Sequence, residues 1–150
     1  MSAERPEVLF LCVHNAGRSQ MAAALLERRA GDRVLVHSAG SAPGETLNPA
    51  VVAAMAEWAI DITDRVPQAL TEAMARSADV IISMGCGYSC PVYPGKRYVD
   101  WELPDPHGRT LAGVRPIRDE IDARVGALVD SLVGGSAPAG SDGGPRSSGP

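Results

Sequence analysis

The chain has 150 residues, of which 45% are hydrophobic and only 4% aromatic, with a formal net charge of −4. That length predicts one domain, with a core built from Val, Ile, Leu, Ala and Met. The acidic balance and the lack of a basic cluster argue against nucleic-acid binding, and no apolar run has the length of a membrane span.

Taken in chain order, Met1-Ser2-Ala3-Glu4-Arg5-Pro6-Glu7 lacks the basic and apolar regions of a signal peptide, so a cytoplasmic protein is expected. Residues 7 to 12 are apolar enough for a buried parallel strand. A helix follows over 19 to 30, with Met21, Ala22, Leu25 and Leu26 inward and Gly31-Asp32 as its stop. A second strand covers 34 to 38, and a Gly/Pro loop runs to Leu47. Asn48-Pro49 then starts a helix, since asparagine caps and proline suits the first turn. Val51, Val52, Met55 and Trp58 share one side of it, a packing face with no cofactor role.

Residues 60 to 69 read as irregular, and Thr71 caps a short helix to about residue 77. A third strand covers 79 to 84, a loop or short helix 85 to 95, a fourth strand 98 to 101, and a polar loop 102 to 113. The last helix carries Val114, Ile117, Ile121, Val125, Leu128 and Leu132 in a single stripe. Strands alternating with helices predict an α/β fold: a parallel sheet with helices on both faces. Ligands in such sheets bind beyond the carboxyl ends of strands. Cys12, Cys86 and Asp105 all follow strand ends. Residues 134 to 150 are Gly, Ser, Pro and Ala with one Asp and one Arg, which predicts a disordered tail after a domain at 1 to 133.

The chemistry concentrates in Cys12-Val13-His14-Asn15-Ala16-Gly17-Arg18-Ser19, between the first strand and the first helix. A loop of this length can turn its backbone N–H groups onto one point, and the helix adds the positive end of its dipole. A tetrahedral oxyanion fits there, with Arg18 gripping two of its oxygens. The same field favours a thiolate, which makes Cys12 a nucleophile, and Ser19 can donate a hydrogen bond to its sulfur. The simpler alternative is a buried strand-end cysteine beside a surface arginine. Strand, hydroxyl and helix together favour the nucleophile. Three cysteines in a reducing compartment point to redox or catalytic use. Without paired histidine spacing they make a poor zinc site, so neither metal nor cofactor is expected. His14 could tune the thiolate, although a loop histidine is more often a solvent contact. His37 and His107 carry no functional signal.

Cys12 to Ala22 together with Asp105-Pro106-His107-Gly108 resembles the arsenate reductases built on the low-molecular-weight tyrosine phosphatase fold. The resemblance covers most of residues 7 to 133 and implies a three-layer α/β/α fold on a four-stranded parallel sheet. Both branches share Cys-x5-Arg-Ser. Gln20-Met21-Ala22 after the serine, and His107-Gly108 in place of a tyrosine pair, favour the reductase. His14 and Gly17 depart from the commonest loop pattern, which has glycine and often cysteine there. The resemblance implies the following roles. Cys12 attacks arsenate, which residues Val13, His14, Asn15, Ala16, Gly17, Arg18 and Ser19 hold. Asp105, set between Pro104 and Pro106, acts as general acid for the departing oxygen. Cys86 and Cys90 form a relay that releases arsenite and presents a disulfide to thioredoxin. Their Cys-x3-Cys spacing is shorter than usual, with Gly85 and Gly87 flanking Cys86. Potassium-binding members carry a glutamate where this chain has Ala23.

Three alternatives fit the same residues. A low-molecular-weight tyrosine phosphatase would need Cys12, Arg18 and Asp105 but neither later cysteine. A thiol transferase would use a small thiol, glutathione or mycothiol with its redoxin, in place of the relay. An anion-binding or redox-sensing protein would oxidise Cys12 without turnover.

Overall fold

The computed structural model describes residues 5–84 and 96–133. Four strands form one parallel sheet: β1 (Glu7–Cys12), β2 (Leu35–Gly40), β3 (Val80–Ser83) and β4 (Arg97–Asp100), in the order β2-β1-β3-β4. Helices α1 (Arg18–Ala30), α2 (Pro49–Ala56), α3 (Glu72–Ser77) and α4 (Leu111–Leu132) connect and cover it. The expected four-stranded α/β/α architecture is therefore present. β1 takes β2 on one side and β3 on the other. The chain thus changes direction at β1, and such a switch point opens a crevice at the strand's carboxyl end.

Alternation along β1 builds two cores. Val8, Phe10 and Cys12 face α1, α2 and α4, where Met21, Leu25, Leu26, Met55, Ile121 and Val125 are all buried. Leu9 and Leu11 face the other way, onto Ala39, Ala75, Ala78 and Ile81 beside α3. Each fully buried large apolar side chain contributes about 1.5–3 kcal/mol. The α1–α2–α4 face is the larger store of stability. It is also the face that carries Cys12 at the strand's end.

Boundaries shift where caps decide them. α4 begins at Leu111, three residues before the apolar stripe, because the Thr110 side chain accepts the Gly113 N–H. Asn48 and Thr71 cap α2 and α3 as the sequence predicts. β2 runs on to Gly40, and Ala69 bridges to that residue. The nominally irregular stretch before α3 is thereby fastened to the sheet edge.

Trp58 has a packing role. Arg118 of α4 is buried, lies 4.0 Å from the Trp58 ring centroid, and donates to the Ala54 carbonyl at 2.9 Å. Glu57 receives both Arg115 and Arg118, which hold its carboxyl well down, at about 2. Among the described residues no helix is long and apolar enough to cross a membrane. The expected tail, 134 to 150, and the cysteine loop, 85 to 95, lie outside the described residues.

Candidate active site

The carboxyl end of β1 opens into a cleft of about 600 Å³. Cys12, His14, Ala16, Gly17 and Arg18 form its floor, and Asp105, Pro106, His107 and Arg109 form one wall. Residues Gly44 to Ala50 form the other. Two distant parts of the sequence, the 12–18 loop and Asp105, therefore share one cavity. Cys86 and Cys90 lie outside the described residues. Cys12 is a free, buried thiol.

The loop owes its shape to Asn15. This residue is fully buried and takes a left-handed backbone, φ 52°. Asparagine tolerates that region better than most residues. His14 is not in the left-handed region, so it needs no glycine's freedom. Two glycines permit close approach. A Cβ on Gly40 would lie 2.5 Å from the Val13 carbonyl oxygen, and one on Gly17 would lie 2.7 Å from Pro106 Cγ. No side chain caps α1, so the N–H groups of its first turn are available to an anion.

A buried hydrogen-bond chain controls the sulfur. The Gln68 backbone N–H donates to Asn15 Oδ1 at 2.9 Å, and Gln20 Nε2 donates to the same oxygen at 3.1 Å. Those donors fix the orientation of the Asn15 amide, so that Nδ2 donates to Ser19 Oγ at 2.7 Å. Ser19 spends an acceptor site on Asn15 and is left to donate its hydrogen to Cys12 Sγ, 2.9 Å away. The Asn15 backbone N–H adds a second donor to the sulfur at 3.2 Å. Two donors therefore converge on one buried sulfur.

Arg18 is buried, and one guanidinium nitrogen donates to the Leu103 carbonyl at 3.2 Å. That bond ties the floor of the cleft to the segment carrying Asp105. Asp105 accepts the His107 N–H at Oδ1, 2.9 Å, in a tight turn. Of the residues expected to hold an anion, His14, Ala16, Gly17 and Arg18 line the cleft. The Val13 side chain packs instead on the smaller core, and Asn15 and Ser19 serve the sulfur. Three residues escaped the sequence reading as site residues: Gln20, seen only as a family marker; Asn48, seen only as a cap; and Gln68. Asn48 and Gln68 reach the site from remote segments, which no local pattern reports, whereas Gln20 lies five residues from Asn15 and is brought to it by the turn of the loop into α1. Among the described residues no group of three or more His, Cys, Asp or Glu could hold a metal ion.

The family model described as low molecular weight phosphotyrosine protein phosphatase matches residues 7–135. An arsenate reductase of Bacillus cereus is 36% identical over 122 residues, covering 79% of this chain and 90% of that protein. A glutaredoxin arsenate reductase of Synechocystis is 32% identical over 129 residues, covering 84% of this chain and 98% of the relative. Among solved structures, a thioredoxin-dependent arsenate reductase of Corynebacterium glutamicum superposes with a TM-score of 0.74 at 45% identity, over 87% of this chain. This chain covers 62% of that protein's length.

Proposed function

The chain belongs to the low molecular weight phosphotyrosine protein phosphatase family, and within it we propose that it is an arsenate reductase. The observation that carries this reading is the Cys12 sulfur, held by Ser19 Oγ and the Asn15 N–H on the floor of the cleft that also holds Arg18 and Asp105. The curated relatives named above support arsenate as the substrate over a phosphoester.

In the proposed mechanism arsenate binds the N–H groups of the 13–19 loop and the Arg18 guanidinium. The Cys12 thiolate forms a bond to arsenic(V), and an arsenate oxygen leaves as water with a proton from Asp105. A second thiol then attacks the Cys12 sulfur. The sulfur–arsenic bond breaks, its electron pair stays on arsenic, and arsenite leaves as arsenic(III). Two thiols have become one disulfide, so the electrons balance. We assign the second thiol to Cys86 or Cys90, and the final reductant to thioredoxin in the cytoplasm. The chemistry calls for no metal or bound cofactor. A small thiol with its redoxin is the competing route, and a relative named as a glutaredoxin arsenate reductase supports a redoxin other than thioredoxin as final reductant.

The test is steady-state turnover of arsenate with thioredoxin and thioredoxin reductase, beside a phosphoester assay on the same sample. Arsenate turnover well above phosphoester turnover is expected. Phosphoester cleavage without arsenate reduction would move the chain to the phosphatase branch. Turnover with glutathione or mycothiol alone would replace the relay by the small thiol.

A further inference from the structure

We propose that Asn48 is a positioning residue, one that holds Asp105 in register with Cys12 by fastening the Asp105 segment to the anion loop. This rests on the reading of Asp105 as the general acid.

Asn48 touches three parts of the site at once. Its backbone N–H donates to the Ala16 carbonyl at 2.9 Å, inside the anion loop. Its Oδ1 accepts the Ala50 N–H at 2.9 Å, which caps α2. Its Nδ2 donates to the Pro106 carbonyl at 3.2 Å, one residue beyond Asp105. The amide orientation is fixed by its neighbours: a backbone N–H needs the oxygen on one side, and a carbonyl needs the nitrogen on the other.

The cap alone does not account for this residue. Serine or aspartate would cap as well as asparagine, but neither presents an amide donor beside the accepting oxygen. The donor goes to the segment that carries the acid. Pro106 is buried against Gly17, whose missing Cβ leaves room for the proline ring, and its carbonyl also accepts the Arg109 N–H at 3.0 Å. Arg18 fastens the same segment at Leu103. Asp105 is itself exposed and sits between these two ties. Releasing one tie frees the acid to swing while the anion cradle stays whole. Small misplacements of a reacting group cost large factors in rate.

Asn48→Ser keeps the cap and removes the amide donor, and its shorter single hydroxyl, engaged at Ala50, does not span to the Pro106 carbonyl. Its kcat/KM for arsenate should fall about 10–100-fold. The inhibition constant of inorganic phosphate, which reads the cradle alone, should move less than about twofold. Hydrogen exchange should rise across 102–110 and stay unchanged in the first turn of α2. In an Asp105→Asn background the same substitution should change the rate less than about twofold, since the group it positions is gone. An equal fall in both backgrounds would overturn the proposal, as would a weakened phosphate affinity that accounts for the whole loss. If the serine variant does not fold, Asn48→Asp, which keeps the cap and lacks the donor, is read by hydrogen exchange across 102–110 alone, since its added charge on the cleft wall repels phosphate by itself. A wild-type chain that reduces no arsenate would overturn the function proposed above. Hydrogen exchange alone would then decide this inference, and unchanged exchange across 102–110 would sink it.

Discussion

Ser19 has one hydrogen to give, and the Asn15 amide decides where it goes. The nucleophile's surroundings are therefore set three bonds back, at the Gln68 N–H, rather than by the sulfur's immediate neighbours. Cys12→Ser should abolish arsenate reduction, because a hydroxyl at this site neither ionises nor forms a disulfide. Retention of a substantial share of arsenite production would remove Cys12 from the mechanism. Asp105→Asn should lower the rate of adduct formation by about 10²–10⁴, the usual size of general acid catalysis, with melting temperature unchanged. An unchanged kcat/KM for arsenate would count against the acid. Much of this scale was legible in the sequence because Cys12, Arg18 and Ser19 lie within eight residues of one another. Gln68 and Asn48 were not legible as site residues. Their partners, Asn15 and Pro106, are 53 and 58 residues away in sequence, and only the folded sheet brings them together.

Among the elements, α2 and α4 are joined by a charged clamp outside the cleft. Arg115 donates to Glu57 at 2.5 Å, and Arg118 donates to it at 2.7 Å from beneath the Trp58 ring. Hydrogen bonds first from Arg115 and then from Arg118 hold the Glu57 carboxyl at about 2, below its ordinary value of 4.5. A lowered carboxylate stabilises the fold above its unfolded value, and that contribution disappears as pH falls through the folded one. The melting temperature of the native chain should therefore exceed that of Glu57→Gln near neutrality, and the gap should close as pH falls from about 5 to about 2. A gap that stays constant over that range would show that the carboxylate's charge contributes nothing. The helices themselves were legible. The α4 stripe at Ile117, Ile121, Val125 and Leu128 is buried as its spacing predicts. The start of α4 was not, because Thr110, its cap, reads in sequence as part of a polar loop.

For the whole molecule, the switch in strand order at β1 brings residues 12–18 and 105–109 to one cleft. Alternation of apolar strands and amphipathic helices was enough to place that cleft at the strands' carboxyl ends. It did not specify which loop faces which, since that depends on packing such as Pro106 on Gly17. We expect the compositionally biased segment after residue 133 to be dispensable. Deleting 134–150 should leave both melting temperature and arsenate turnover essentially unchanged, and a clear fall in either would show that it docks on the domain. The proposed reduction draws its two electrons from the chain's own thiols, of which there are three. Fully reduced protein should therefore be mixed with excess arsenate, with no thioredoxin or other thiol present. Arsenite is then counted beside the remaining free thiols, and the disulfide is mapped by mass spectrometry. One equivalent of arsenite, the loss of two thiols and a disulfide between residues of the set Cys12, Cys86 and Cys90 is the predicted result. No arsenite, with all three thiols intact, would contradict it.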